Sequence, residues 1–332
     1  MNAPFPSSAS VFQNTWWAAL PRRTALLAEG QDAVRFLDNF TTASLAPLTP
    51  GQSTEGFFAD GRGHVIALAR LLRTPEGIWI DAPPGLAQPL HEHLEHYHIR
   101  EDVSFRDASS ERTAFLVRAP AEWVAAHAGP VATVPGGRAA GSDSFTRAAL
   151  GGVDATILAT DWYGAGGLLV FVATADAERL VAWLTATGLL QATAADVDAA
   201  RIEAGSPEPA DIPPKTLPQE LGRDARAICF TKGCYLGQET VARLDALGHV
   251  NRRLVGIVMG DVAPTVGDDI LLDTVVVGTI TSACLSPTLG AGLGLALVHV
   301  KAVAGTARPT VAGAAARIVE LPVSRAIEEK SA

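Results

Sequence analysis

The sequence predicts an α+β fold of two lobes on antiparallel sheets, followed by a separate all-β domain in the form of a small barrel or sandwich. Three observations carry that prediction. The order hairpin, helix, strands occurs twice, a proline-rich connection follows at 207–218, and beyond Arg253 short β-type runs stand between Gly, Pro and Asp. A chain of 332 residues suffices for about two domains, and 48% hydrophobic with 18% charged residues is a globular composition with ample core.

Residues 1–20 are rich in Ser, Pro and Ala and are expected to be loosely held. Val34-Arg35-Phe36-Leu37 begins a short helix that Pro47 and Pro50-Gly51 end. His64 to Arg73 and Ile78 to Asp81 read as strands around Thr74-Pro75-Glu76-Gly77, a type I turn with Pro second and Gly fourth. A helix over 84–97, strands over 103–106 and 114–117 and a short helix over 121–127 complete the first round. The second has strands over 153–160 and 168–173 and a helix over 176–187, with Leu180 and Leu184 four apart and Gly188 as its C-cap. A further helix covers 195–203. Five prolines between Pro207 and Pro218 predict an extended connection there rather than helix. The β-type runs are 254–259, 269–272, 275–281, 293–300 and 315–320. The expected organisation is an α+β region over 21–250 and a β domain over 251–324, flanked by the 1–20 segment and a 325–332 tail.

A formal net charge of −9 argues against a broad basic surface for nucleic acid, leaving Arg252-Arg253 as a candidate for part of a small basic groove. Cys229, Cys234 and Cys284 are few, odd in number and without CxxC spacing, the usage of a reduced compartment. No basic region followed by an apolar core opens the chain, and the longest apolar runs are strand-sized, so the expectation is a soluble cytoplasmic protein without a membrane partner.

Chemistry concentrates in Lys232-Gly233-Cys234-Tyr235-Leu236-Gly237-Gln238-Glu239, followed by Thr240-Val241-Ala242-Arg243. Residues 238–247 suit a helix with Val241, Leu244 and Leu247 on one face and a Glu239–Arg243 pair four apart. Cys234 then sits just ahead of a helix N-terminus, whose partial positive charge, with Lys232, favours thiolate while Glu239 opposes it. A reactive thiol stands against the alternative of a buried inert cysteine. Glu203 closes a helix in Arg201-Ile202-Glu203-Ala204-Gly205, where its charge opposes the macrodipole. It pairs either with a cation such as Arg201 or with a ligand bearing two adjacent N–H donors, as a pterin or guanine-like ring does. His91, His93, His96 and His98, with Glu92 and Glu95, lack HExxH spacing and read as a solvated helix face. Gly290, Gly292 and Gly294 read as turn glycines.

The motifs Arg201 to Gly205, Lys232 to Arg243, Asn251-Arg252-Arg253, Gly278 to Ser282 and Ser286 to Gly290, with Phe36-Leu37 and Asp60 to Gly63, occur in an order that resembles the YgfZ-type folate-binding proteins. That group is a branch of the superfamily of the glycine-cleavage T-protein, an aminomethyltransferase. The resemblance covers roughly residues 20–322; KGCYxGQE followed by VAR is specific to the branch, and the other pieces are shared with T-proteins. It implies two interleaved lobes around a folate channel and a C-terminal β-barrel. It further implies tetrahydrofolate as ligand and a role in assembling or maintaining iron–sulfur client proteins, with an indirect effect on tRNA modification. Under it Glu203 holds the pterin edge, Arg201, Tyr235, Gln238 and Arg243 join the cofactor site, and Cys234 with Lys232 carries the branch-specific role. Two departures stand out: Thr42-Ala43-Ser44 where the family often shows Thr-Asn-Asp, and Ile66-Ala67-Leu68 where T-proteins carry a paired Asp. Aminomethyl or methyl transfer needs a positioned proton acceptor, so that second departure sets the accessory role ahead of a transferase, with a non-folate binding module as the further alternative.

Overall fold

A computed structural model describes residues 15–128, 143–303 and 308–323. Eleven strands among these residues form one curled sheet. They are β1 (Trp16–Ala19), β2 (Thr24–Glu29), β3 (Gln52–Ala59), β4 (Val65–Arg73), β5 (Gly77–Ala82), β6 (Ser104–Asp107), β7 (Arg112–Arg118), β8 (Asp143–Leu150), β9 (Val153–Thr160), β10 (Gly167–Ala173) and β11 (Leu190–Gln191). Their order, β11-β1-β7-β10-β9-β8-β3-β4-β5-β2-β6, places the two predicted rounds at opposite ends. The halves join where β3 meets β8, through Gln52 opposite Ser144 and Ser53 opposite Asp143. Pairing is antiparallel apart from the short β1–β11 contact.

Each half carries a helix on its outer face. Ala87–Tyr97 buries Leu90 and Leu94 against one half, and Ala177–Ala186 buries Leu180 and Leu184 against the other. The inner faces share a core that includes Trp16, Phe57, Trp79, Phe171 and Tyr235 and extends to Leu293 and Leu295 of the C-terminal sheet. The expected histidine face is partly an aromatic seam: His93 packs edge-on against Phe40 and Tyr97, and His98 against Phe36 and Phe105.

The second sheet runs β12 (Arg252–Val258), β13 (Asp269–Leu272), β14 (Val275–Ser286), β15 (Ala291–His299), β16 (Thr310–Val311), β17 (Ala314–Ala315) and β18 (Arg317–Val319). Its order, β17-β16-β13-β14-β15-β12-β18, brings its sequence-adjacent last strands to opposite edges of a nearly closed barrel, so the sandwich alternative falls. Of the predicted turn glycines only Gly290, at φ +60°, occupies a turn. Gly292 and Gly294 lie in β15, and a Cβ on Gly292 would meet the Val262 carbonyl oxygen at 2.0 Å.

Three local expectations change. The segment expected to be loose contains β1, with Trp16 and Trp17 buried, while residues 1–14 and the 325–332 tail lie outside the described residues. The proline-rich connection holds 3-10 turns at Pro209–Asp211 and Pro218–Leu221, because proline fits the first helical position, where no N–H is required. Strands β2, β3 and β8, absent from the sequence prediction, lie inside the sheet.

A buried ion network explains how β3 tolerates its polar residues. Arg223 donates to both Glu55 oxygens and to Asp161, Arg226 reaches Asp143 and Asp161, and Trp162 Nε1 donates to Glu55 at 2.7 Å. Burial drives the Glu55 pKa upward, but the charge and hydrogen bonds of Arg223, aided by Arg70, hold it below the usual carboxylate range.

Candidate functional site

The Cys234 segment is an irregular loop fixed to the first half of the sheet by its own backbone and one lysine. Cys229 N–H donates to Thr42 O at 2.9 Å, and Leu236 N–H donates to Asn39 O at 2.8 Å. Lys232 Nζ donates to the carbonyls of Asp38 (2.6 Å), Thr41 (3.1 Å) and Ala43 (2.5 Å) and lies 3.2 Å from the Asp38 carboxylate. Beneath it the Tyr235 ring is buried, with Nζ 5.4 Å from the ring centroid. Gly237, at φ +81°, is the N-cap of helix Gln238–Leu247. A Cβ there would come within 2.6 Å of Asp60 O and 2.9 Å of Gly63 Cα, so the Asp60–Gly63 turn packs directly on the loop. Gln238 Nε2 closes it by donating to Gly233 O at 3.5 Å. On this frame Cys234 is exposed, which excludes the buried-cysteine alternative.

The role expected of Lys232 changes. An ammonium has three N–H donors, and all three have carbonyl acceptors, so this lysine anchors the loop and has no N–H left to donate to the Cys234 sulfur. Burial pulls its pKa down; the Asp38 charge and hydrogen bond oppose that, and Cys229 is the sulfur whose charge it feels. Burial, with a smaller contribution from Cys229, pushes the Tyr235 hydroxyl to about 12. Helix Gln238–Leu247 buries only Val241; Leu244 is half-buried and Leu247 is 53% exposed. Glu239 and Arg243 are both exposed and form no ion pair with each other among the described residues. The third thiol, Cys284, is pushed up to about 12 by burial and the nearby Glu203 and Asp198 charges, which leaves it chemically quiet.

Arg201 and Glu203 lie on helix Ala194–Ala204, which Thr193 and Asp196 cap at one end and left-handed Gly205 at the other. Gly205 is required by contact as well: a Cβ would stand 2.6 Å from Leu321 Cβ. The Arg201 guanidinium donates to Asp198 (2.7 Å), Asp211 (2.8 Å), Ser206 O (3.0 Å) and Ser282 Oγ (2.9 Å). Glu203 accepts from Ser286 Oγ (2.5 Å) and Thr288 N–H (3.0 Å) on one oxygen and from Thr288 Oγ1 (2.7 Å) on the other. Both residues thus tie this helix to the barrel. Neither shares a hydrogen-bond partner with Lys232, Tyr235, Gln238 or Arg243 among the described residues.

A cleft of about 200 Å³ lies between Val65–Leu68 of β4, Pro83 and Leu86, and Pro207, Pro209 and Ile212. Ile66, Ala67 and Leu68 make one wall, so no carboxylate stands at the place where the sequence lacks the paired Asp. The loop's anchor points, Asp38 to Ala43, escape sequence reasoning because they act mainly through carbonyl oxygens.

Asp224, at the start of the short helix Asp224–Ala227, has a buried Oδ1 without a hydrogen bond, and burial raises its pKa to about 6 against the attraction of Arg253. A raised carboxyl keeps its proton longer in the folded state, so stability falls as pH rises from about 4 to about 6 and stays lower above that. Asp224→Asn should therefore melt higher than wild type at pH 7.5, with the gap closing below about pH 4; thermal melts across that range check the sign.

A family model described as the glycine cleavage T-protein C-terminal barrel domain matches residues 252–323. The crystal structure of glycine cleavage system aminomethyltransferase T from Bartonella henselae superposes with a TM-score of 0.77 at 20% identity, covering 93% of this chain and 86% of that one. The fold is that of the glycine-cleavage T-protein superfamily. A mitochondrial iron–sulfur cluster assembly factor IBA57 homolog of Phaeosphaeria nodorum is 27% identical over 256 residues, 72% of this chain and 54% of that protein. The tRNA-modifying protein YgfZ of Colwellia psychrerythraea is 46% identical over 56 residues, 17% of each. The chain is thus similar to T-protein relatives of the IBA57 and YgfZ types, and its residues 252–323 match the T-protein barrel domain. It spans about half the length of the first curated relatives it matches. Among the described residues, no helix is long and apolar enough to cross a membrane.

Proposed function

We propose that this protein is an accessory factor in the assembly or maintenance of iron–sulfur client proteins, acting through the Cys234 thiol, with any effect on tRNA modification arising indirectly. The observation that carries this reading is a single exposed thiol on a loop whose Lys232, Tyr235 and Gly237 are committed to holding it in place. In this reading Cys234 meets the client, Lys232, Tyr235 and Gln238 fix the loop, and Arg243 lies on the exposed face of the following helix. The names of the IBA57 and YgfZ relatives support the same assignment. Complementation of an iron–sulfur enzyme defect tests it: wild type should restore activity, and Cys234→Ala and Cys234→Ser should not. Full rescue by Cys234→Ala would remove the thiol from the mechanism.

A folate-class ligand is the second reading, supported by the T-protein fold and the cleft beside β4. The expected pterin clamp does not fit it. Three of the roughly four lone-pair positions of the Glu203 carboxylate are occupied, so it cannot accept two further N–H donors side by side. The cleft is also smaller than the roughly 300–1,000 Å³ of most small-molecule sites. No step is assigned to folate. Calorimetric titration with tetrahydrofolate decides the point: saturable heat supports the ligand reading, and none at millimolar ligand ends it. The T-protein-like methyl- or aminomethyltransferase alternative lacks a carboxylate on the β4 wall; robust folate-dependent turnover surviving Cys234→Ser would restore it.

A further inference from the structure

The basic pair conspicuous in the sequence is neutralised in the fold. Arg252 makes a two-pronged contact with Glu220, and Arg253 lies 3.5 Å from Glu320. A different cationic cluster forms from three arginines that are remote in sequence. Direct partners in an antiparallel sheet point to the same face, as do residues two apart along a strand. Arg106 on β6 stands opposite Leu27, and Leu27 opposite Trp79. In the other half Arg147 on β8 stands opposite Thr156, Thr156 opposite Phe171, and Phe171 opposite Ala114, two residues beyond Arg112.

The Trp79 and Phe171 rings meet edge to face at 4.6 Å, so the two rows converge on the inner face of the curled sheet. There the Arg112 guanidinium lies 4.4 Å over the Trp79 ring, while its Nε is buried without a hydrogen-bond partner. Glu111 pairs with Arg106, and among the described residues no carboxylate is within bonding distance of Arg112 or Arg147. Burial and the charges of Arg147 and Arg106 disfavour the Arg112 cation, which Glu111 only partly offsets. Like charges gathered around an unsatisfied donor, in a chain of net charge −9, are an arrangement that a bound anion would relieve.

We propose that this mouth of the curled sheet is a binding site for a small polyanion, a ligand carrying clustered phosphate or carboxylate groups. Arg112 is its central fork, rigid on Trp79, with Arg147 as the flanking cation and Arg106, already paired with Glu111, at its outer edge. The guanidinium fork pairs with either kind of oxyanion through two parallel N–H donors. The site shares no residue with the Cys234 loop or with the cleft beside β4.

Calorimetric titration of the full chain with inorganic tripolyphosphate, and in parallel with citrate, tests the proposal. Saturable, salt-sensitive binding of at least one is expected, weakened about tenfold or more by Arg112→Met, the loss of one charged hydrogen-bonding group. Arg147 is exposed, so Arg147→Met should fold normally and still weaken binding, whereas Arg35→Met, at an exposed arginine already paired with Asp32, should not. Preference for tripolyphosphate assigns phosphate, and preference for citrate assigns carboxylates. Absence of saturable binding to both, full affinity in Arg112→Met and Arg147→Met, or equal weakening by Arg35→Met would overturn the site.

Discussion

Arg223→Ala is expected to cost about 3–5 kcal/mol of stability, the range for removing one partner of a buried ion pair. Arg223 spans both oxygens of Glu55, whose side chain is only 3% exposed, so its removal takes away that carboxylate's ion-pair partner, whereas Asp161, which it also reaches, keeps Arg226. Urea denaturation monitored by tryptophan fluorescence measures the loss directly. Replacing both charges, as in Arg223→Met with Glu55→Met, should recover much of it, because the desolvation penalty disappears with the pair. A double variant as unstable as Arg223→Ala would show that the network does more than neutralise its own charges. The pH dependence has a fixed sign. The folded-state pKa of Glu55 is depressed, so its contribution is present above the ordinary carboxylate pKa and is lost as pH falls through the folded value. Wild type should therefore lose more stability on acidification than Arg223→Ala does.

The same network explains what the sequence could and could not show. Strands with ordinary patterning, such as β4, β5, β9 and β10, and helices with apolar residues four apart are legible from period and turn chemistry. β3 is not, because Ser53, Thr54 and Glu55 are buried polar residues, and the partners of Ser53 and Glu55 come from distant segments, so no alternation survives. β1 hides because four residues beside a Ser- and Pro-rich stretch give no period to count. The functional loop shows the same division. The exposure of Cys234 agrees with its place among glycines, but the partners of Lys232 are carbonyls some 190 residues earlier in the chain. Local charge arguments assigned that lysine to the nearest thiol; three-dimensional packing assigned it to the backbone.

Glu203→Ala is expected to destabilise the junction between helix Ala194–Ala204 and the barrel by about 3–4 kcal/mol, since hydrogen bonds to a charged group contribute about 1.5–3 kcal/mol each and these share one carboxylate. Its three donors all come from Ser286 and Thr288, at the turn between β14 and β15. Loss of the carboxylate leaves these donors without their acceptor in a partly buried site, and the turn should loosen before the sheet of the first region does. Hydrogen exchange reads this locally: the Thr288 amide should lose protection in Glu203→Ala while amides of β4 and β5 keep theirs. Glu203→Gln retains one acceptor oxygen and should fall between the two. A ligand anchor predicts the opposite pattern, with near-native protection at Thr288 and a weakened tetrahydrofolate titration. The geometry commits this carboxylate to the barrel, so the stability loss should appear in the absence of any ligand.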